Sequence, residues 1–382
     1  MTCRKRFLTL TSAILIVFSA LFAQQKDRVA NLMEELTNAH GPSGFEGPVR
    51  EIFVREMRAA GAEISIDGLG SVIAKVKGTA DQPRIMVDAH LDEVGMMVRY
   101  ITPDGYIKFQ TLGGWADQTL IDQRWVIMTR KGPIHAVSGM LDGHLADPGK
   151  EAFESTKVFM DVGARSKADA EALGIRTGDP IAPWSPFTIL ANNRYAAKAW
   201  DDRVGLVIQV EVLRRMKERG IRPPNTLYLT GTVQEELGLR GAYTTSYIVK
   251  PHLGIALEVG IAIDYPGPTL EQAQQRLGGG PGIHLFDSSM LPNLKLRDFF
   301  FQVAADKRIP LQTDLVARYG QDAAAMQMHA GGTPSINYVL PTRYTHAHTG
   351  IIDRADFDQA VDLLVEILTR LDAKTVNEIS RF

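Results

Sequence analysis

Apolar positions recur along this chain at two periods, and the switches between them mark its organisation. Residues 25–40 place Val29, Leu32, Met33 and Leu36 at helical spacing, and 48–60 do the same with Val49, Ile52, Phe53 and Met57. The intervening HGPSGFEG, 40–47, is a turn cluster. Strand-like runs follow at 62–66, 71–76 and 84–87. From about 94 to 186 the texture changes to short strands joined by turns. One hairpin carries Pro103-Asp104-Gly105 at its tip, and another turns around Lys131-Gly132. A short helix starts at Ser166 with Asp169 in capping-box position. Longer elements then resume: a helix over 203–219, strands at 226–233, 255–259, 299–304 and 335–340, and a helix over 355–373. That last helix puts Phe357, Ala360, Val361, Leu364, Ile367, Leu368 and Leu371 on one stripe. The pattern predicts an α/β domain, 26–93 and 187–382, into which a small β-rich domain, 94–186, is inserted.

The first residues belong to a different kind of segment. Arg4, Lys5 and Arg6 precede an apolar run over 7–23, the form of a secretory signal with its cut after Ala23. The expected destination is periplasmic or extracellular. The other reading is an uncleaved anchor, since the run nearly reaches the ~17 residues that span a bilayer. Loss of 1–23 changes the formal charge from −2 to −5, with 39 basic and 44 acidic residues left. It also removes Cys3, the only cysteine, so a metal site in the mature chain must be built from His, Asp and Glu. With 45% hydrophobic and 23% charged residues the chain is globular. The acidic balance argues against a nucleic-acid partner, and against a membrane partner once the signal is gone.

Five stretches place metal-competent side chains at the ends of apolar runs. In RIMVDAHLDEVG, residues Asp88, His90 and Asp92 share one face if the strand continues, and a carboxylate beside a ligating His can fix its ring. In AAKAWDDRVGL, Asp201 and Asp202 stand at the mouth of a helix; capping accounts for one of them but not both. YLTGTVQEELG ends a buried strand in Glu235-Glu236, a pair that solvation alone could accommodate. LGIALEVGIAID sets Glu258 inside an apolar run, where an unpaired carboxylate is costly. VLPTRYTHAHTG brings His346 and His348 just past a strand. Singly each has a structural explanation. Together they offer the ligands of two hydrolytic divalent ions.

In this order and at these intervals, the five stretches resemble the glutamyl aminopeptidase family of co-catalytic metallopeptidases, which includes the tetrahedral (TET) aminopeptidases. The likeness runs over about 26–372 and extends to GGW at 113–115, MDVGARSKADAEALGIRTGD at 160–179 and KAWDDRVG at 198–205. It implies a mixed-sheet, zinc-aminopeptidase-like catalytic domain carrying a barrel or PDZ-like dimerisation insert. It implies two divalent metal ions per chain, zinc first, with cobalt or manganese as substitutes, and peptides as substrates. His90 would bind one ion, Asp201 would bridge both, and Glu236 and His346 would bind the second. Glu258 stands where the family usually has a metal-binding Asp. Glu235 would be the general base and Asp92 the partner of His90. The resemblance also implies a cis Asp201–Asp202 peptide and a dimer-based homo-oligomer, up to a dodecamer. Gln321 before Asp322 replaces a common Thr, and AHTG after His346 replaces the commoner SPVE. Two other functions use the same residues: a related deacylase or carboxypeptidase-like amidohydrolase, and a peptide-binding homologue without turnover. Retention of the base and all five ligand positions argues against the last.

Overall fold

The computed structural model describes residues 26–140 and 155–381. The expected signal, 1–23, lies outside the described residues. The chain opens with α1 (Arg28–Asn38), capped by Asp27 on the Ala30 N–H at 2.8 Å, and α2 (Gly47–Ala60), which ends at Gly61 with φ 98°. Three strands follow: β1 (Glu63–Ile66), β2 (Val72–Val76) and β3 (Ala80–His90). Six more make the next block: β4 (Gly95–Ile101), β5 (Ile107–Leu112), β6 (Arg124–Thr129), β7 (Gly132–Gly139), β8 (Phe159–Asp161) and β9 (Pro180–Pro183). The short α3 (Lys167–Ala172) lies between the last two.

Beyond that block come β10 (Thr188–Ile189), β11 (Arg194–Ala197), α4 (Trp200–Glu218), β12 (Asn225–Thr232), α5 (Arg240–Val249) and β13 (Leu253–Ile261). The chain continues through β14 (Gly282–Asp287), α6 (Leu294–Lys307), β15 (Gln312–Val316), α7 (Ala323–Gln327) and β16 (Ser335–Thr342). It closes with β17 (Gly350–Asp353), α8 (Arg354–Arg370) and α9 (Ala373–Ile379).

Eight strands form one mixed sheet in the order β1-β2-β12-β3-β13-β16-β14-β15. Its four central strands, β12, β3, β13 and β16, run parallel, with Thr232 opposite His90 and Glu258 opposite Val339. All four therefore end along one edge of the sheet. In open α/β sheets that edge is where ligands bind. The strands are apolar on both faces because both are covered. Ile85, Val87, Ile255 and Leu257 join a large core with Leu206, Val210, Phe300 and Leu364 from α4, α6 and α8. Met86 and Ala256 point the other way and pack with Val249 of α5 and Met326 of α7. Each such side chain, fully buried, contributes about 1.5–3 kcal/mol.

Strands β4 to β9 close into a separate antiparallel barrel, β4-β5-β8-β7-β6-β9, with its own core around Met96, Trp125, Ile127, Met160 and Ile181. Both predicted hairpins are present, and Ser166 caps α3 on the Asp169 N–H.

The strand expected at 299–304 is instead part of α6. The FFFQV run reads as β by composition, but its buried residues are Leu296, Phe300, Val303 and Ala304. Those are spaced four, three and one apart, a helical stripe. Strands β14 and β15 were not expected; they lie at one side of the sheet and are short and interrupted by polar residues.

Candidate active site

Each expected ligand stands at or near an end of a different element of the catalytic half of the chain. His90 is the last residue of β3; Asp201 lies in the first turn of α4; Glu235 and Glu236 follow β12; Glu258 is near the end of β13; His346 follows β16. The fold brings them together. The Nε2 atom of His90 lies 3.0 Å from Asp201 Oδ1, 3.8 Å from Glu258 Oε2 and 3.9 Å from Glu235 Oε2. The Nε2 atom of His346 lies 3.3 Å from Asp201 Oδ2 and 3.5 Å from Glu236 Oε1. The two oxygens of Asp201 thus face opposite ways, one toward each imidazole. Two sets of donor atoms, His90–Asp201–Glu258 and Asp201–Glu236–His346, each fall within 4.8 Å and share Asp201.

The electrostatics of this crowd ask for positive charge. Burial, reinforced by neighbouring carboxylates, pushes the carboxyls of Glu235 and Glu258 well above the usual range, and that of Glu236 up to about 7. Burial opposes a charged His346, yet Glu236 and Asp201 hold its pKa up at about 9. Asp201 is itself held low, against its burial, by hydrogen bonds from both imidazoles. Buried Glu236 Oε1 has no hydrogen-bond partner. These donors, hard oxygens and imidazoles only, fit divalent metal ions of the zinc type.

The adjacent Asp202 explains the acidic pair. Its Oδ1 accepts from the Gly205 N–H at 3.1 Å as a helix cap, and its Oδ2 accepts from the His90 N–H at 3.3 Å. One Asp caps and the other faces the cluster, across a cis peptide. Gly205 is required there, since a Cβ would sit 2.4 Å from Asp202 Oδ2.

Asp92 holds more than His90. The ring Nδ1 of His90 meets the Asp92 backbone carbonyl at 3.0 Å, with the nearer carboxylate oxygen at 3.6 Å. The carboxylate accepts the backbone N–H groups of Glu235 at 3.0 Å and Glu236 at 3.2 Å, and the Ser43 hydroxyl at 2.6 Å. It therefore positions the Glu235–Glu236 turn as well as the imidazole. Ser43, in what read as a turn cluster, carried no signal of this.

Two other candidates stand apart. Asp88 is buried among Thr230, Thr232 and Asp322. His348 packs edge-on against Trp125 of the barrel at 4.9 Å with Nδ1 unpartnered. The barrel strands also lead into the site: Gly113 and Gly114, following β5, press against Glu236 and His346. Gly113, at φ 81°, would place a Cβ 2.9 Å from Glu236 Oε2.

A mixed sheet flanked by helices, with imidazoles and carboxylates gathered at the ends of its parallel strands, defines a hydrolase of the metallopeptidase class. Residues 70–363 match the model of the M42 glutamyl aminopeptidases, and the chain belongs to that family of peptide hydrolases. It is 35% identical to the glutamyl aminopeptidase of Lactococcus lactis subsp. cremoris over 92% of this chain and 98% of that one. The TET aminopeptidase of Thaumarchaeota archaeon SCGC AB-539-E09 superposes with a TM-score of 0.90 at 42% identity, covering 93% of this chain and 99% of that chain. A TET1 peptidase of Pyrococcus horikoshii, which can assemble into a tetrahedron or a large octahedral shell, has a TM-score of 0.81 at 25% identity. The match covers 90% of this chain and 100% of the other.

Proposed function

We propose that this protein is an exported, metal-dependent aminopeptidase that removes N-terminal residues from peptides at a site for two divalent ions. The observation that carries the reading is the split carboxylate of Asp201, with one oxygen at 3.0 Å from His90 and the other at 3.3 Å from His346. His90 and Glu258 would complete one ion's ligands, and Glu236 and His346 the other's. Zinc suits these donors best, and cobalt or manganese also fits them. Ions bound there would polarise the scissile carbonyl and lower the pKa of an attacking water.

The chain's own residues do the rest. Glu235 lines the cavity with a carboxyl raised by burial, as a base working near neutral pH requires. It would take the proton of the attacking water and deliver it to the departing amine. Asp92 holds the Glu235 backbone N–H while contacting His90, so base and ligand keep a fixed separation.

Family membership and the TET1 neighbour support a homo-oligomer, and the barrel is the element we assign to dimer contacts. Export rests on the 1–23 segment. Among the described residues no helix is long and apolar enough to cross a membrane.

The test is metal content by elemental analysis together with Glu235→Gln. Two ions per chain and turnover of aminoacyl reporters are expected. The variant should keep fold and metal while losing at least the ~10²-fold that a general base contributes. Near-normal turnover in the variant would remove Glu235 from the mechanism. Cleavage of N-acyl or C-terminal reporters alone would replace the aminopeptidase with the related amidohydrolase.

A further inference from the structure

The cavity at the cluster has two unlike walls. One is the charged wall of Asp201, Glu235, Glu236, Glu258 and His346. The other is made by Gly238, Leu239, Tyr319, Gly320 and Gln321, and none of these carries a charge. The space between them is about 290 Å³. An enzyme that cuts after the first residue must hold the scissile carbonyl against the charged wall. The first side chain is then left facing the other.

Two features fix the character of that second wall. The carboxamide of Gln321 is spent on the protein: its oxygen accepts from His284 Nδ1 at 2.8 Å, and its nitrogen donates to the Val259 carbonyl at 3.2 Å. Burial keeps His284 neutral, with its pKa lowered to about 4, and the contact with an amide oxygen, which can only accept, requires the tautomer with its proton on Nδ1. Turning the amide toward a substrate would strand the buried imidazole of His284. The Tyr319 hydroxyl likewise donates to the Val259 carbonyl, at 3.3 Å, which leaves its ring as the exposed surface. Leu239 adds an aliphatic surface, held in place by its N–H on the Glu235 carbonyl at 2.9 Å.

We propose that this cavity selects an uncharged, preferably aliphatic, side chain on the N-terminal residue, with Leu239, Tyr319 and Gln321 as the residues that set the preference. The inference rests on the aminopeptidase reading and narrows its substrate class. An apolar side chain gains by leaving water against Leu239 and Tyr319. A charged one gives up its hydration and meets no counter-charge on that wall. An acidic or basic side chain alike meets no counter-charge there, since among the described residues no Lys or Arg lines the cavity and its carboxylates are those assigned to the ions and the base. In this the chain differs from what the name of its Lactococcus relative says of that enzyme.

The experiment is a kcat/KM panel on metal-reconstituted protein with leucyl, methionyl, alanyl, lysyl, arginyl, glutamyl and aspartyl p-nitroanilides. Calorimetric titration with L-leucine, L-lysine and L-glutamate gives a readout independent of turnover. Leucyl and methionyl substrates should exceed both glutamyl and lysyl by at least roughly tenfold, the range a pocket of this kind supports. L-leucine should bind most tightly. Glutamyl or lysyl substrates equal to or above leucyl, or tighter binding of their amino acids, would overturn the proposal while leaving the aminopeptidase reading intact. Absence of cleavage across all aminoacyl substrates, with N-acyl reporters cleaved, would instead remove that reading and this proposal together.

Two variants test the wall itself. Leu239 is at φ 58°, a conformation Asp tolerates better than most side chains. Leu239→Asp should raise the lysyl-to-leucyl ratio about tenfold, and Leu239→Arg the glutamyl-to-leucyl ratio. Unchanged ratios in both folded variants would exclude Leu239 from contact with the first side chain.

Discussion

Behind the cluster lies a buried ionic group whose removal has a calculable cost. Glu93 follows Asp92, and its carboxylate accepts Lys198 Nζ at 2.6 and 2.7 Å, Arg203 Nη2 at 3.4 Å and the Gly41 N–H at 2.9 Å. Glu93, Lys198 and Arg203 are each no more than 1% exposed. Lys198 stands three residues before Asp201, so this pair ties the strand that ends in His90 to the start of α4. In Glu93→Gln two buried cations lose the carboxylate that hydrogen-bonds both, and breaking such a pair costs about 3–5 kcal/mol. Part of that cost falls on Lys198. Burial already lowers Lys198 to about 8, despite Glu93. Without Glu93 it should become neutral; from a pKa of about 8, giving up that proton in the folded protein costs about 1.4 kcal/mol at pH 7, and the rest of the loss falls on Arg203.

That route gives the variant a signature. Its folded state lacks a proton that its unfolded state binds, so its stability should rise by about 1.4 kcal/mol per pH unit from pH 6 to 8. In the parent, Lys198 is protonated in both states below about 8 and contributes no slope there. Urea unfolding of metal-free protein, followed by tryptophan fluorescence at several pH values, measures both quantities. The double variant Glu93→Gln/Lys198→Met should recover about 2–3 kcal/mol relative to the sum of the singles. A loss under about 1 kcal/mol in Glu93→Gln, or additive singles, would refute the reasoning.

Other consequences can be checked alongside. Glu258→Gln should weaken one metal ion far more than the other in a stoichiometric titration, whereas Glu258→Asp should hold both within about 10–100-fold; two ions at unchanged affinity in Glu258→Gln would exclude it as a ligand. Burial lowers His40 and His348 to about 4 each. Stability from these groups is therefore complete above 6.5 and lost as pH falls through 4, by up to about 3 kcal/mol per ring. His348→Phe, keeping the contact with Trp125, should shrink that acid loss, and an unchanged profile would count against it. N-terminal sequencing of protein from the native host should begin near Gln24; a full-length chain in the cytoplasm would contradict export.

Much of the fold was legible because its elements are strongly patterned. The α8 stripe, the buried runs of β12 and β13 and the two barrel hairpins all announce their period. Misreading arose where composition and period disagree. The aromatic run in α6 has strand-like residues on a helical stripe, and β14 and β15 mix Gln, His and Asp into short strands. Their pairing along one side of the sheet is a long-range fact that no local window contains.

The site was legible for a different reason. A carboxylate or imidazole at the end of a buried strand violates the local rule that interiors are apolar, and such violations point to chemistry. Glu258 between Leu257 and Val259 is the plainest case. Residues that obey local rules while serving the site left no such mark. Ser43 sits in a turn where serine is ordinary, and Lys198 precedes a helix. Asp322 stands at the N-cap of α7, where an Asp needs no further reason. Yet the Asp322 N–H donates to Glu258 Oε1 at 3.1 Å, and its Oδ2 accepts from Thr232 at 2.7 Å. A ligand shows itself in sequence by being expensive where it stands. The residues that hold it there are satisfied by it, and only the fold shows what they hold.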